Sequence, residues 1–362
     1  MTLVRLLPAF ALCITSLVPA ACAAQDPPAE FSSIEVRIET QNPDTRLAGT
    51  LSLPPGSGPY PAALLITGDG EHTRDQVISG TPMFRQIAEH LTRSGIAVLR
   101  VDDRGVGAST GPSVEEATLL ERAADMRACV RFLRERPEID AGRIGLVGHS
   151  AGAIVGPMLA AEDTTLHFLV LLAPTAIPGG AVWMAQQVAN LKRLGAAPEV
   201  IPAVEGELRR VVDLIRDDYS DDASFYAIGH DFVAAHGVER DQITDGMVDQ
   251  LLGGLRSEAH RFFFTYDPGE TLGRVHMPTL VLVGSRDGQV VPNAHLGPLT
   301  EALLAAGNAD FSVNVLPEQD HFFLEYQGRR LDQHQFGEMQ VAPALLNHMT
   351  GWILARVSGR AG

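Results

Sequence analysis

Lysine is almost missing from this chain. Lys192 is the single one among 362 residues, and 28 Lys and Arg stand against 44 Asp and Glu, for a formal net charge of −16. So few cations exclude the basic stripe that nucleic acid requires and the patch that an anionic membrane surface attracts. Cysteine is scarce too. Of three, Cys13 and Cys22 fall within the first 24 residues, leaving Cys129. One cysteine cannot form an internal disulfide, and its neighbours Met126, Val130 and Leu133 place it on an apolar helix face. Long apolar runs are lacking beyond Val18, so no later stretch reaches the roughly 20 residues of a membrane span. No grouping of His and carboxylates has zinc-ligand spacing. The Gly105-Val106-Gly107 turn lacks the Lys-Ser/Thr ending and the full glycine fingerprint of a nucleotide loop. It reads as a structural turn in which Arg104 ties down neighbouring loops.

Residues 1–24 read as a secretory signal, with Arg5 as the charged start, Leu6 to Val18 as the apolar segment, and Ala21-Cys22-Ala23 before a cut near Ala24. The expected destination is the periplasm or the medium. Lipoprotein processing at Cys22 is the rival, disfavoured by Pro19 three places before it. The remaining chain of roughly 340 residues suits one large domain with an insertion.

Ile34–Thr40 alternates apolar and charged residues, and with Leu47–Leu53 it predicts an antiparallel hairpin. Short continuous apolar runs then alternate with helical patterns. Strands are expected over 62–67, 96–101, 144–148 and 167–172, and helices over 83–93, 115–136 and 153–161. That rhythm indicates a mostly parallel, doubly wound sheet. It breaks over 177–271, which is helical in pattern and contains Trp183, Phe225, Phe232, Phe262, Phe263 and Phe264. This stretch is expected to be a helical cap over the sheet's carboxyl edge, with 25–176 and 272–362 forming the core. Strands resume at 279–283 and 310–316, and a helix over 341–357 closes the chain.

Gly148-His149-Ser150-Ala151-Gly152 follows an apolar run and precedes a small-residue helix. Gly-x-Ser-x-Gly between a strand and a helix is the pattern of a nucleophile elbow. A serine hydroxyl needs a base, and the base needs a carboxylate to hold its tautomer. Asp287 and His321 each lie just past a late strand, in the order Ser, Asp, His, so all three should emerge at one sheet edge. Among twelve histidines, His149 adjoins the serine on a turn where neighbouring side chains diverge, while His276 and His295 flank the wrong strand. Asp320 is the immediate neighbour of His321 and is badly placed to orient its ring. The backbone N–H groups of Asp69 and Ala151 are expected to form an oxyanion hole, with Gly70 in reserve for Asp69.

These stretches resemble a bacterial α/β-hydrolase esterase of the branch related to dienelactone hydrolases and prolyl-oligopeptidase-type catalytic domains. The resemblance rests on Gly68 to Asp75, Arg100 to Gly111, Gly145 to Gly152, Asp267-Pro268, Val283 to Pro292 and Gln319 to Phe322. The family's His-Gly-Ser-Gly-Pro loop departs here, with Thr67, Asp69 and Glu71 replacing its histidine, serine and proline. The resemblance implies an α/β-hydrolase fold and cofactor-free hydrolysis of a small-molecule ester. A peptidase or acyl-thioester hydrolase could use the same residues, and a binding protein that merely kept the fold is the reading from another class.

Overall fold

The computed structural model describes residues 30–218, 221–326 and 339–358. The expected leader, its cut near Ala24 and the Cys22 alternative lie outside the described residues. The main sheet has eight strands: β1 (Ser32–Glu39), β2 (Arg46–Leu53), β3 (Tyr60–Ile66), β4 (Ala97–Val101), β5 (Ile139–His149), β6 (Phe168–Leu172), β7 (Thr279–Gly284) and β8 (Phe311–Leu316). They lie side by side as β1-β2-β4-β3-β5-β6-β7-β8. The first three in that order pair antiparallel, and all later neighbours pair parallel.

The chemistry of the strands explains their place. The alternating β1 has an exposed face and the edge strand β8 is only partly covered, whereas β4, β6 and β7 are buried along their whole length. Parallel strands covered on both faces carry continuous apolar runs for that reason. Two clusters of buried side chains fill the two faces. Leu64, Ile66, Leu146 and Leu171 face one, packed by α2 (Leu119–Arg134) and α3 (Gly152–Glu162). Leu65, Val147, Val170 and Leu282 face the other, packed by α1 (Met83–Arg93) and the closing helix (Pro343–Val357).

The helix expected over 115–136 is divided. A single 3₁₀ turn covers Val114–Glu116, and α2 starts afresh at Leu119. The cause is a capping box. The Thr118 hydroxyl accepts from the Glu121 N–H, and the Glu121 carboxylate accepts from the Thr118 N–H at 2.8 Å. Two otherwise unpaired N–H groups are satisfied at Thr118, so the chain breaks there.

Between β6 and β7 the described residues form only helices and turns. The principal ones are α4 (Gly179–Arg193), α5 (Ile201–Asp218), α6 (Asp222–Ala235), α7 (Asp245–Leu252) and α8 (Glu258–Thr265). They share a separate apolar cluster that includes Val204, Leu208, Ile215, Phe225, Phe232 and Val248. Among the described residues no helix is long and apolar enough to cross a membrane.

Candidate active site

Strand register brings the important turns to one edge. Gly148 pairs with Ile66, His149 with Leu172, and Gly284 with Leu316. The loops after β3, β5, β7 and β8 therefore open side by side. Ser150 sits in the turn after β5 with φ of +55°, a left-handed conformation that side chains rarely adopt. The turn holds it there. Its N–H donates to the Leu172 carbonyl at 2.9 Å, and its carbonyl accepts from the Ala153 N–H at 2.9 Å. The flanking glycines are required by contact. A Cβ on Gly148 would lie 2.2 Å from the Gly152 carbonyl oxygen, and one on Gly152 would lie 2.2 Å from that of Ile66.

His321 reaches this serine from the loop after β8. Its Nε2 lies 3.0 Å from Ser150 Oγ, and its Nδ1 lies 2.8 Å from Asp287 Oδ2. Asp287 is buried, and its other oxygen accepts from the N–H groups of Gln289 and Val290 at 2.8 and 2.7 Å. A carboxylate acceptor fixes the proton on Nδ1 and leaves Nε2 free to take one from the hydroxyl. The other candidates are occupied elsewhere. Asp320 accepts from the Phe322 N–H at 2.9 Å. His295 accepts at Nδ1 from the Ala176 N–H, and burial pushes it down to about 4.

The loop after β3 comes close to the serine, and a Cβ on Gly68 would lie 3.5 Å from that of Ser150. Asp69 and Ala151 line one cavity together with Ser150. The Asp69 carbonyl accepts from His72 Nε2 at 2.7 Å. Among the described residues no acceptor meets the N–H of Asp69 or that of Ala151. Unpaired N–H groups on residues that share a cavity with a serine hydroxyl suit a developing negative charge there.

The cavity measures about 180 Å³ and lies between the sheet edge and the helices that follow β6. Its apolar wall includes Val114, Leu119 and Ile154 from the core and Val182, Trp183, Phe263 and Phe264 from the helices. Phe232, another aromatic of the stretch expected to cap the sheet, is placed otherwise. It is buried in the helices' own cluster, its ring 4.4 Å from that of His236. Helix α6 packs on α5 and α7, and so turns that face away from the cavity.

The profile of the alpha/beta hydrolase family matches residues 53–332. This chain belongs to that family. It is 26% identical over 310 residues to esterase EstD of Thermotoga maritima, covering 85% of this chain and 65% of that protein, so under two thirds of the relative is spanned. A shorter stretch of 96 residues is 28% identical to thiohydrolase apmlB of Arthrinium phaeospermum, covering 26% of this chain and 31% of that one. Solved structures share the fold. Esterase Pf2001 of Pyrococcus furiosus aligns with a TM-score of 0.55 at 18% identity, over 91% of this chain and 92% of that one. Est1E of Butyrivibrio proteoclasticus, solved with ferulic acid bound, aligns at 0.53 and 15% identity, over 90% of this chain and all of that one (100%).

Three residues of this family member escape a reading of its sequence. Arg122, on α2, is buried and donates from Nη2 to the carbonyls of Thr67 and Gly68 at 3.0 and 2.6 Å. It thus holds the two residues before Asp69. Asp103 steadies the same loop by accepting from the Thr67 hydroxyl at 2.6 Å and the His72 N–H at 3.1 Å, and burial raises its carboxyl. Gln76 is fully buried at φ of +40° and reaches His149, whose side chain points away from the cavity. An Arg on a helix looks like surface, and a loop Gln carries no motif. The one visible signal is that three charged or polar residues, Arg74, Asp75 and Gln76, come soon after the glycine loop.

Proposed function

We propose that this chain is a serine hydrolase that cleaves carboxylic esters through an acyl-enzyme on Ser150. The observation that carries this reading is the continuous hydrogen-bonded series from Ser150 Oγ through the His321 ring to Asp287, at 3.0 and 2.8 Å, opening on an apolar cavity. Ser150 Oγ attacks the ester carbonyl carbon as His321 Nε2 takes its proton. Asp287 stabilises the resulting imidazolium. The carbonyl oxygen becomes an oxyanion between the N–H groups of Asp69 and Ala151. Collapse expels the alcohol, which leaves with the proton from His321. Water then gives a proton to His321 and adds to the acyl carbon, and a second collapse releases the acid and returns the proton to Ser150. In this reading the 177–271 segment is a cap whose aromatic residues over the cavity choose the substrate.

The esterase EstD likeness supports an oxoester substrate. Thioester cleavage is the second reading, favoured by the stretches shared with the thiohydrolases apmlB and aneE of Aspergillus aculeatus. The experiment is a comparison of kcat/KM on an oxoester, a thioester and an anilide with the same acyl group, for the wild type and Ser150→Ala. The expected order is oxoester above thioester above anilide, with loss of at least about 10³-fold in the variant. A folded Ser150→Ala protein with wild-type rates contradicts the proposal.

A further inference from the structure

His149 is next to the nucleophile, yet it takes no part in the acyl-transfer steps. Its ring is buried (1% exposed), with its Nε2 2.9 Å from the carbonyl oxygen of His321 and its Nδ1 2.8 Å from Gln76 Nε2. Gln76 Oε1 in turn accepts from the Gly68 N–H at 3.0 Å. The partners leave no freedom in this series. A carbonyl only accepts, so the His149 proton is on Nε2. Nδ1 is then an acceptor and must face the amide NH₂ of Gln76. That leaves the Gln76 oxygen for Gly68, as observed, while its NH₂ also reaches Met83 Sδ at 3.8 Å. Every polar atom of both side chains is satisfied in one arrangement only.

The two ends of the series are the two loops that must be placed relative to Ser150. One end, Gly68, precedes Asp69. The other is the backbone of His321 itself. Resting on the serine-hydrolase reading, we propose that Gln76 and His149 are positioning residues: a neutral, Nε2-protonated His149, clamped by Gln76, sets the distance between the Asp69 loop and the His321 ring.

The environment keeps His149 neutral. Burial, and next the nearby His321, push it down to about 3. The titratable side chains that act on it are His321, whose ring centroid is 5.0 Å away, and His72. Met83 and Phe322, which also touch this region, carry no charge. A proton on Nδ1 would face the Gln76 NH₂, donor against donor, and would put a cation beside the ring that must itself become cationic in the reaction. A neutral His149 avoids both costs.

The test combines variants with a measurement on the wild type. His149→Leu and Gln76→Met remove the polar atoms, and His149→Gln keeps one donor and one acceptor. Ester hydrolysis and thermal unfolding are measured for each, and for the His149→Leu/Gln76→Met pair. Misplacing a base by an ångström costs about 100-fold, so kcat is expected to fall by about that factor in His149→Leu with KM within about 3-fold of wild type. His149→Gln should recover most of the loss. The pair should be no slower than the worse single change, because both break one series. Nitrogen NMR of the ¹⁵N-histidine wild type should show His149 as the Nε2–H tautomer from pH 5 to 9. Wild-type kcat in a folded His149→Leu, no recovery with His149→Gln, additive losses, or an Nδ1–H or titrating His149 would each overturn the proposal. If the variants do not fold, the wild-type tautomer still decides it. A wild type that cleaves no ester and takes no label at Ser150 would instead defeat the reading on which it rests.

Discussion

Ser150 holds a backbone conformation that a serine in open chain seldom visits, and the hydrogen bonds to Leu172 and from Ala153 keep it there. Strain of about 1–3 kcal/mol is typical for such a residue, and its result is a hydroxyl lifted clear of strand and helix. The neighbouring His149 has a consequence for stability. Its folded value is about 3, against about 6.5 in an unfolded chain. As pH falls below 6.5 the unfolded chain takes up a proton that the folded one refuses, so folding stability is lost as pH drops toward 3. Each such histidine contributes a slope of about 1.4 kcal/mol per pH unit. His295, at about 4, acts in the same direction, whereas Asp103, Asp125 and Asp320, raised by burial, oppose it. The difference between wild type and His149→Gln isolates the single group. Between pH 6 and 4 the wild type should lose about 1.4 kcal/mol per unit more than the variant, measured by urea unfolding. Parallel curves would show that His149 is not buried neutral.

Helix α3 follows the serine and has no solvent face over most of its length, with Gly152 through Ala160 all buried. It is packed against the sheet, α2 and the short helix Pro268–Leu272. The helices that follow β6 separate two roles that the sequence could not distinguish. Trp183 lines the cavity, while Phe232 fills the helices' own core. Both are large aromatics in helices, and only packing tells which face meets the sheet. Trp183→Ala should therefore change the ratio of kcat/KM for long and short acyl esters by about 10-fold. Phe232→Ala should leave that ratio alone and lower stability by about 3 kcal/mol. Equal effects of the two on selectivity would contradict this division. The strands are legible in the sequence because each is a short apolar run between turn residues, and Met83–Arg93 because its apolar residues fall on one face. The start of α2 is not, because Val114-Glu115-Glu116 continues the helical pattern, while the Thr118–Glu121 reciprocal bonds decide the break. The polar support of the site is legible only as the polar run Arg74-Asp75-Gln76 after the glycine loop. Gln76 and Arg122 act through side-chain contacts across the fold, and no motif gives either its role.

Across the molecule, the sheet brings Ser150 and His321, 171 positions apart, to within one hydrogen bond. Residues placed just beyond strand ends are readable for this reason: parallel strands in register send all their following loops to one edge. The proposed chemistry stands or falls on whether Ser150 is an activated nucleophile. The most direct measurement is intact-protein and peptide mass spectrometry after exposure to a small fluorophosphonate. One adduct per chain is expected, on Ser150, with labelling slowed by at least about 10³-fold in a folded His321→Ala variant. Labelling elsewhere, or an unlabelled Ser150 in the folded wild type, would contradict it.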